Sequence, residues 1–275
     1  MANVVAKGID LSKHNASVDF AKVKADGFSF AIIRCGYRGY ASAGTLAEDS
    51  KWKEFTSNAI TNDVPFGVYF FSQAKTEAEA VEEAQYTLKL VKALAVQPTY
   101  PIYIDSEWAN TSHTGRADNL SKAQRTAVVK AFCDEIERQG YYAGIYASTS
   151  WFTSRLNNSE LAKYDKWVAQ YNTSCTYGGS YGMWQYGGGQ NYLRSTKVNG
   201  VASANCDQNF AYRDYPSIIK NAGLNGYKKQ VVETPAPSAP VCMDCEALKV
   251  QLAEAKAENE RLNKVLDDIS KIIKG

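Results

Sequence analysis

The stretch Pro101-Ile102-Tyr103-Ile104-Asp105-Ser106-Glu107 is the most informative in this 275-residue chain. It opens on proline, alternates large apolar side chains and ends on two carboxylates, the pattern of a short β-strand with an acidic C-terminal end. Successive side chains on a strand point to opposite faces. Tyr103, Asp105 and Glu107 therefore share one face and Ile102 and Ile104 the other. The isoleucines are expected to pack outward against helices, leaving Asp105 and Glu107 at the mouth of a sheet or barrel. The strand rise puts their Cα atoms roughly 6–7 Å apart. Like charges so close raise each other's pKa, which makes the pair costly as a purely structural device.

Working outward, short apolar segments alternate with longer helical patterns through residue 220. The strand candidates are Val5–Asp10, Phe28–Arg34, Pro65–Phe71, Pro101–Glu107, Tyr141–Ala147, Lys166–Gln170, Gly182–Tyr186 and Asn205–Phe210. Helical patterns cover Asp19–Ala25, Asp49–Thr61, Thr76–Leu94 and Ser121–Gln139. Thr76 with Glu79 and Ser121 with Gln124 have capping-box spacing. Eight strands interleaved with helices predict an α/β protein built on an irregular (β/α) TIM-like barrel. The later strands lie too close together for a full set of eight helices.

The expected organisation is a catalytic barrel over 1–229, a Pro-rich linker over 230–241 and a coiled-coil oligomerisation helix over 242–275. The linker holds three prolines, which favour an extended spacer. Beyond it, Leu248, Ala255, Leu262 and Ile269 fall on one heptad row and Cys245, Leu252, Asn259, Leu266 and Ile273 on the other. A polar Asn in such a seam costs stability and specifies register. The tail is expected to form a homodimer or higher homo-oligomer; the alternative is one amphipathic helix docked on the barrel.

Composition narrows the function classes. The net charge is +2, and residues 1–229 hold 25 Lys/Arg against 21 Asp/Glu, with no dense basic stripe, which argues against a nucleic-acid partner. No run of 18 apolar residues predicts membrane insertion. The N-terminus lacks the basic start, apolar stretch and cleavage site of a signal peptide. The expectation is synthesis in a cytoplasm without a signal peptide; if the substrate lies outside the membrane, something else must release the protein. Eighteen Tyr and five Trp suit a carbohydrate cleft, although most such rings serve cores. Cys35, Cys133, Cys175 and Cys206 read as reduced core thiols, and the Cys242/Cys245 pair lacks two further ligands for a zinc site. No metal ion and no cofactor is expected.

Barrel active sites lie at the C-terminal ends of strands. Asp10, Asp105 and Glu107 close their strands, and Asp207 lies in Asn205-Cys206-Asp207-Gln208-Asn209. Glycoside hydrolysis needs one protonated carboxyl at the leaving oxygen and one ionised carboxylate at the anomeric centre. Gly178-Gly179-Ser180-Tyr181-Gly182 matches the serine-hydrolase elbow formally but precedes a strand, which disfavours that chemistry.

Gly8-Ile9-Asp10-Leu11-Ser12, Pro101 to Glu107, Met183-Trp184-Gln185-Tyr186 and Cys206-Asp207-Gln208-Asn209, in that order, resemble glycoside hydrolase family 25, the lysozyme-type muramidases of bacteria and phage endolysins. The resemblance runs from about residue 4 to about 215. It implies cleavage of the β-1,4 bond between N-acetylmuramic acid and N-acetylglucosamine in bacterial peptidoglycan. It implies Glu107 as general acid, Asp105 as base or as stabiliser of the substrate's 2-acetamido nucleophile, and Asp10 and Asp207 as supporting carboxylates. Tyr69 resembles a cleft tyrosine, and Tyr37, Trp108 and Gln185 are candidate sugar contacts. Retention and inversion both stay open. The tail departs from the wall-binding modules common among endolysins. The competing functional readings are a non-catalytic glycan-binding barrel and a coiled-coil adaptor.

Overall fold

The structure is a computed structural model describing residues 3–188, 192–229 and 243–274. It divides into two units, Met1–Gln230 and Val231–Gly275. The expected linker 230–241 and Cys242 lie outside the described residues, as do the side chains of Cys245, Leu248 and Ile273.

The first unit is an eight-stranded barrel with one strand appended. Its strands are β1 (Ala6–Leu11), β2 (Phe30–Arg38), β3 (Leu46–Glu48), β4 (Phe66–Phe71), β5 (Ile102–Asp105), β6 (Ala143–Ser148), β7 (Asp165–Ala169), β8 (Met183–Gly187) and β9 (Asp207–Ala211). The order β1-β9-β8-β7-β6-β5-β4-β2 closes through a β1–β2 pairing. Every neighbouring pair around the barrel is parallel except the two made by β9, which runs antiparallel to both β1 and β8. β3 was not anticipated; it is a three-residue hairpin partner of the overlong β2.

The helices are α1 (Phe20–Ala25), α2 (Trp52–Thr61), α3 (Glu77–Lys92), α4 (Lys122–Arg138), α5 (Thr149–Ser154) and α6 (Tyr215–Ala222). Ser121 and Gln124 form the full reciprocal capping box on α4. Thr76 caps α3, but the Glu79 carboxylate accepts from the Lys75 amide and from Arg116 instead of completing the box. The β7–β8 and β8–β9 connections hold no helix among the described residues. In the first of these the Gly178–Gly182 segment is loop, with no strand–turn–helix elbow around Ser180.

Strand alternation sorts the core into two layers. Ile102 and Ile104 belong to the outer layer with Phe132 and Ile136 of α4, while Tyr103 belongs to the interior with Phe30, Tyr100, Trp167 and Tyr215. Aromatic rings fill that interior: Phe30 stacks on Tyr100 at 4.4 Å between centroids, and Tyr103 meets Trp167 at 5.2 Å. Gly144 makes room for the Tyr103 ring, since a Cβ there would come within 2.3 Å of it. α6 supplies Tyr215 and Ile219 to this interior cluster. The barrel interior is a packed core.

The second unit is α7 (Met243–Lys274). Its described apolar side chains are exposed. No helix among the described residues is long and apolar enough to cross a membrane.

Candidate active site

The strand ends converge on a cleft of about 800 Å³ lined by Asp10, Tyr37, Tyr69, Asp105, Glu107, Trp108 and Asp207. Those are seven of the eight residues picked out in the sequence. Asp105 is the last residue of β5, and Glu107 lies just past the strand. Asp207 reaches the same mouth by a route not anticipated. It begins its strand rather than ending it, and because β9 is antiparallel that beginning sits level with the end of β1, where Asp10 and Asp207 are register partners. A Cβ on Gly188 would fall within 1.7 Å of the Asp207 carboxylate, so glycine at 188 lets the chain pass behind that side chain.

Gln185 occupies a different place from the sugar contact expected. It is buried one layer behind Asp10, to whose Oδ2 its Nε2 donates at 3.0 Å. Asn209, its register partner on β9, donates to the same oxygen at 2.8 Å. Each amide is held in turn. The Tyr146 hydroxyl donates to Gln185 Oε1 at 2.8 Å, and the Trp167 indole N–H donates to Asn209 Oδ1 at 2.8 Å. Asp10 is therefore held by buried amides with little freedom to turn. Asn209 stood in the motif containing Asp207, two residues on and so on the same strand face, which was the signal available in the sequence. Tyr146 and Trp167 carried no comparable signal.

Trp108 lines the cleft and is held in place by two neighbours. His113 stacks on it at 4.1 Å between ring centroids, and the Arg155 guanidinium lies 4.7 Å from the ring centre. Tyr37 is flanked by Lys13 and Arg34. Tyr69 abuts the edge of Trp167.

All four carboxyl groups are pushed above the usual carboxylate range, in each case mainly by burial. Asp10 rises to about 6, Glu107 to about 7 and Asp207 to about 8, and Asp105 goes well up. Mutual repulsion adds to this: Glu107 acts on Asp105, and Asp10 acts on both Glu107 and Asp207. Hydrogen bonds from Asn209 and Gln185 pull Asp10 back down. Asp10 and Asp207 are both raised, each by burial first. Asp105 Oδ1 is buried and finds no hydrogen-bond partner among the described residues.

Arg34, overlooked in the sequence, opposes this trend. It projects from β2 into the cleft wall, and its charge lowers the pKa of both Asp105 and Glu107. Its Nε donates to Asp49 Oδ2 at 2.6 Å, and Asp49 is fixed by the Lys13 and Lys51 amides. Buried carboxyls spread over a range of pKa, with a cation beside two of them, can hold a proton donor and an ionised carboxylate in one site.

The sequence model of glycosyl hydrolases family 25 matches residues 9–193. The chain belongs to that family. An autolytic lysozyme of Clostridium acetobutylicum is 26% identical over 204 residues, which are 74% of this chain and 55% of that protein. The chain thus spans about half the length of this curated relative. The modular autolysin LytC of Streptococcus pneumoniae, solved with a synthetic peptidoglycan ligand, is 25% identical with a TM-score of 0.63, covering 74% of this chain and 46% of LytC. A family 25 glycosyl hydrolase of Bacillus anthracis, at 17% identity, shares the fold with a TM-score of 0.62 over 82% of this chain and 95% of its own. The family match ends before Asp207, which the structure places in the same cleft as the other three carboxyls.

Proposed function

We propose that this family 25 barrel is a peptidoglycan hydrolase of the endolysin–lysozyme type, cleaving the β-1,4 bond between N-acetylmuramic acid and N-acetylglucosamine. The observation that carries this reading is the convergence of Asp10, Asp105, Glu107 and Asp207 in one cleft, all with raised pKa. In this reading Glu107, poised near neutrality, protonates the leaving glycosidic oxygen. Asp105, whose ionised form Arg34 favours against burial and the neighbouring Glu107, faces the anomeric centre as base or as stabiliser of the 2-acetamido group. Asp10 and Asp207 supply the charge and orientation around them, while Tyr37, Tyr69 and Trp108 contact the sugars. General acid–base assistance of this kind contributes roughly 10²–10⁴-fold.

The unit beyond residue 230 is proposed to self-associate through residues 242–275, so that two or more barrels engage one polymeric wall and gain avidity. The enzyme is proposed to act on the wall from outside the membrane after release from the cell that makes it.

Digestion of purified Gram-positive peptidoglycan, followed by borohydride reduction and mass spectrometry, tests the activity. Fragments ending in reduced muramic acid, absent with Glu107→Gln, are expected. Folded protein that generates no new reducing ends would overturn the reading.

A further inference from the structure

The long helix α7 presents a seam whose chemistry selects its own partner. Leu252, Ala255, Asn259, Leu262, Leu266 and Ile269 lie on two rows seven residues apart, and the four larger apolar members are between 46 and 61% exposed. A seam this narrow, repeating at 3.5 residues, matches a second helix winding around it rather than a broad flat surface. Asn259 sits in the middle of the seam. Against an apolar partner its amide would be buried without hydrogen bonds, at a cost of about 1–3 kcal/mol. A partner that offers an amide at the same level removes that cost.

We propose that Met243–Lys274 pairs with the same helix of a second copy as a parallel, in-register, two-stranded coiled coil with Asn259 facing Asn259. This rests on the self-association proposed above and adds its geometry. In a parallel pair each row faces its own counterpart, so the two Asn259 amides meet and bond. In an antiparallel pair one row faces the other, which would set Asn259 against Ala255 or Leu262 and strand its amide. The flanking positions agree with the parallel arrangement. Gln251 would lie beside Lys256 of the other copy, and Glu258 beside Asn263, with no like charges opposed. A central Asn also favours two strands over three.

The test uses the full chain with Cys175, Cys242 and Cys245 changed to Ser and Ala255→Cys added. The three remaining cysteines, Cys35, Cys133 and Cys206, are buried in the barrel. Light scattering gives the mass in solution. Glutathione disulfide then oxidises any facing pair: two thiols lose two protons and two electrons to form one disulfide, and two reduced glutathiones leave. A dimeric mass with near-complete crosslinking at 255 is expected. The double variant Leu262→Asp/Leu266→Asp should be monomeric and uncrosslinked, with the thermal transition of the barrel unchanged. Asn259→Leu should raise the mass above that of a dimer or abolish the single register. A dimer that resists crosslinking would overturn the parallel register but leave self-association standing. A crosslinked assembly larger than a dimer would overturn the two-stranded form, and a monomer would overturn self-association itself.

Discussion

Asp10 and Asp207 face one another across the antiparallel β1–β9 pairing, 197 positions apart in the chain, close enough for each carboxyl to shift the other's pKa. Asp10 Oδ2 also receives the two amide hydrogen bonds, from Asn209 and Gln185. Burial and mutual repulsion raise both groups, so the pair retains protons to higher pH than free carboxyls do.

This pairing makes stability depend on pH in a direction opposite to that of a salt-bridged carboxylate. Asp207 at about 8 and Asp10 at about 6 stand above their ordinary value of 3.8, so between pH 4 and 8 the folded state binds more protons than the unfolded chain. Stability is then greatest below about pH 4 as far as these two groups are concerned, and is lost as pH rises through their folded pKa values. The thermal midpoint is expected to fall from pH 5 to pH 8. Asp207→Asn should flatten that slope and raise the midpoint at pH 8, where each kcal/mol moves it by roughly 2–4 °C. A wild-type slope retained in the variant would show that this pair is not its source.

Glu107→Gln is expected to lower turnover on peptidoglycan by about 10²–10⁴-fold. An amide cannot donate the proton the leaving oxygen needs, yet it fills the same volume without a buried charge. The thermal midpoint should stay at or above that of the parent. Wild-type turnover in the folded variant would remove Glu107 from the acid's role.

Arg34 opposes the burial-driven rise of Glu107, the acid in the proposed reading. Its charge lowers the pKa of Glu107 and Asp105, so Arg34→Met should raise both, and the alkaline limb of the kcat/KM profile, placed near pH 7 by Glu107, should move to higher pH. Arg34→Lys keeps the charge and should restore the limb even if its single ammonium group binds Asp49 less well. A profile that loses height in Arg34→Met without shifting would mark Arg34 as a purely structural partner of Asp49.

Asn209→Ala tests the amide network. The substitution removes the 2.8 Å bond to Asp10 and leaves the Trp167 indole N–H without its acceptor, each loss costing about 1–3 kcal/mol in a buried site. Denaturant unfolding should report the lost stability. The Asp10 carboxyl, freed of one donor, should titrate higher than in the parent when followed by carbon NMR. An unchanged Asp10 titration would mean that burial alone controls it.

Removing residues 230–275 should leave kcat/KM on short soluble glycans unchanged and weaken retention on intact walls by at least tenfold, as expected for lost multivalency. Sedimentation of the protein with purified walls provides the second measurement. Equal retention with and without the tail would place wall binding in the barrel.

Much of the fold was written locally. Alternation in Ile102-Tyr103-Ile104-Asp105 by itself sorts outer core from interior, because period-two patterning follows from the pleat and needs no neighbour. Ser121 and Gln124 mark a helix start for the same local reason. α5 and α6 were not anticipated; they form where Trp151, Phe152, Tyr215 and Ile219 find buried places in the core clusters, which depends on residues far away in the chain. The three-residue β3 was not anticipated either.

The sequence by itself determined that this chain carries acidic groups at the ends of barrel strands, because side-chain alternation and strand termini are local properties. Only the tertiary structure decided which of them meet, and how. A strand pattern reads the same in either direction, so the antiparallel course of β9, which brings Asp207 level with Asp10, depends on pairing with β1 and β8 rather than on its own residues. The side chain of Gln185 turns toward Asp10 instead of the open cleft, because the hydroxyls and amides around it come from strands scattered along the chain. Hydrogen-bond partners and burial are non-local quantities, and they set the pKa values on which the chemistry depends.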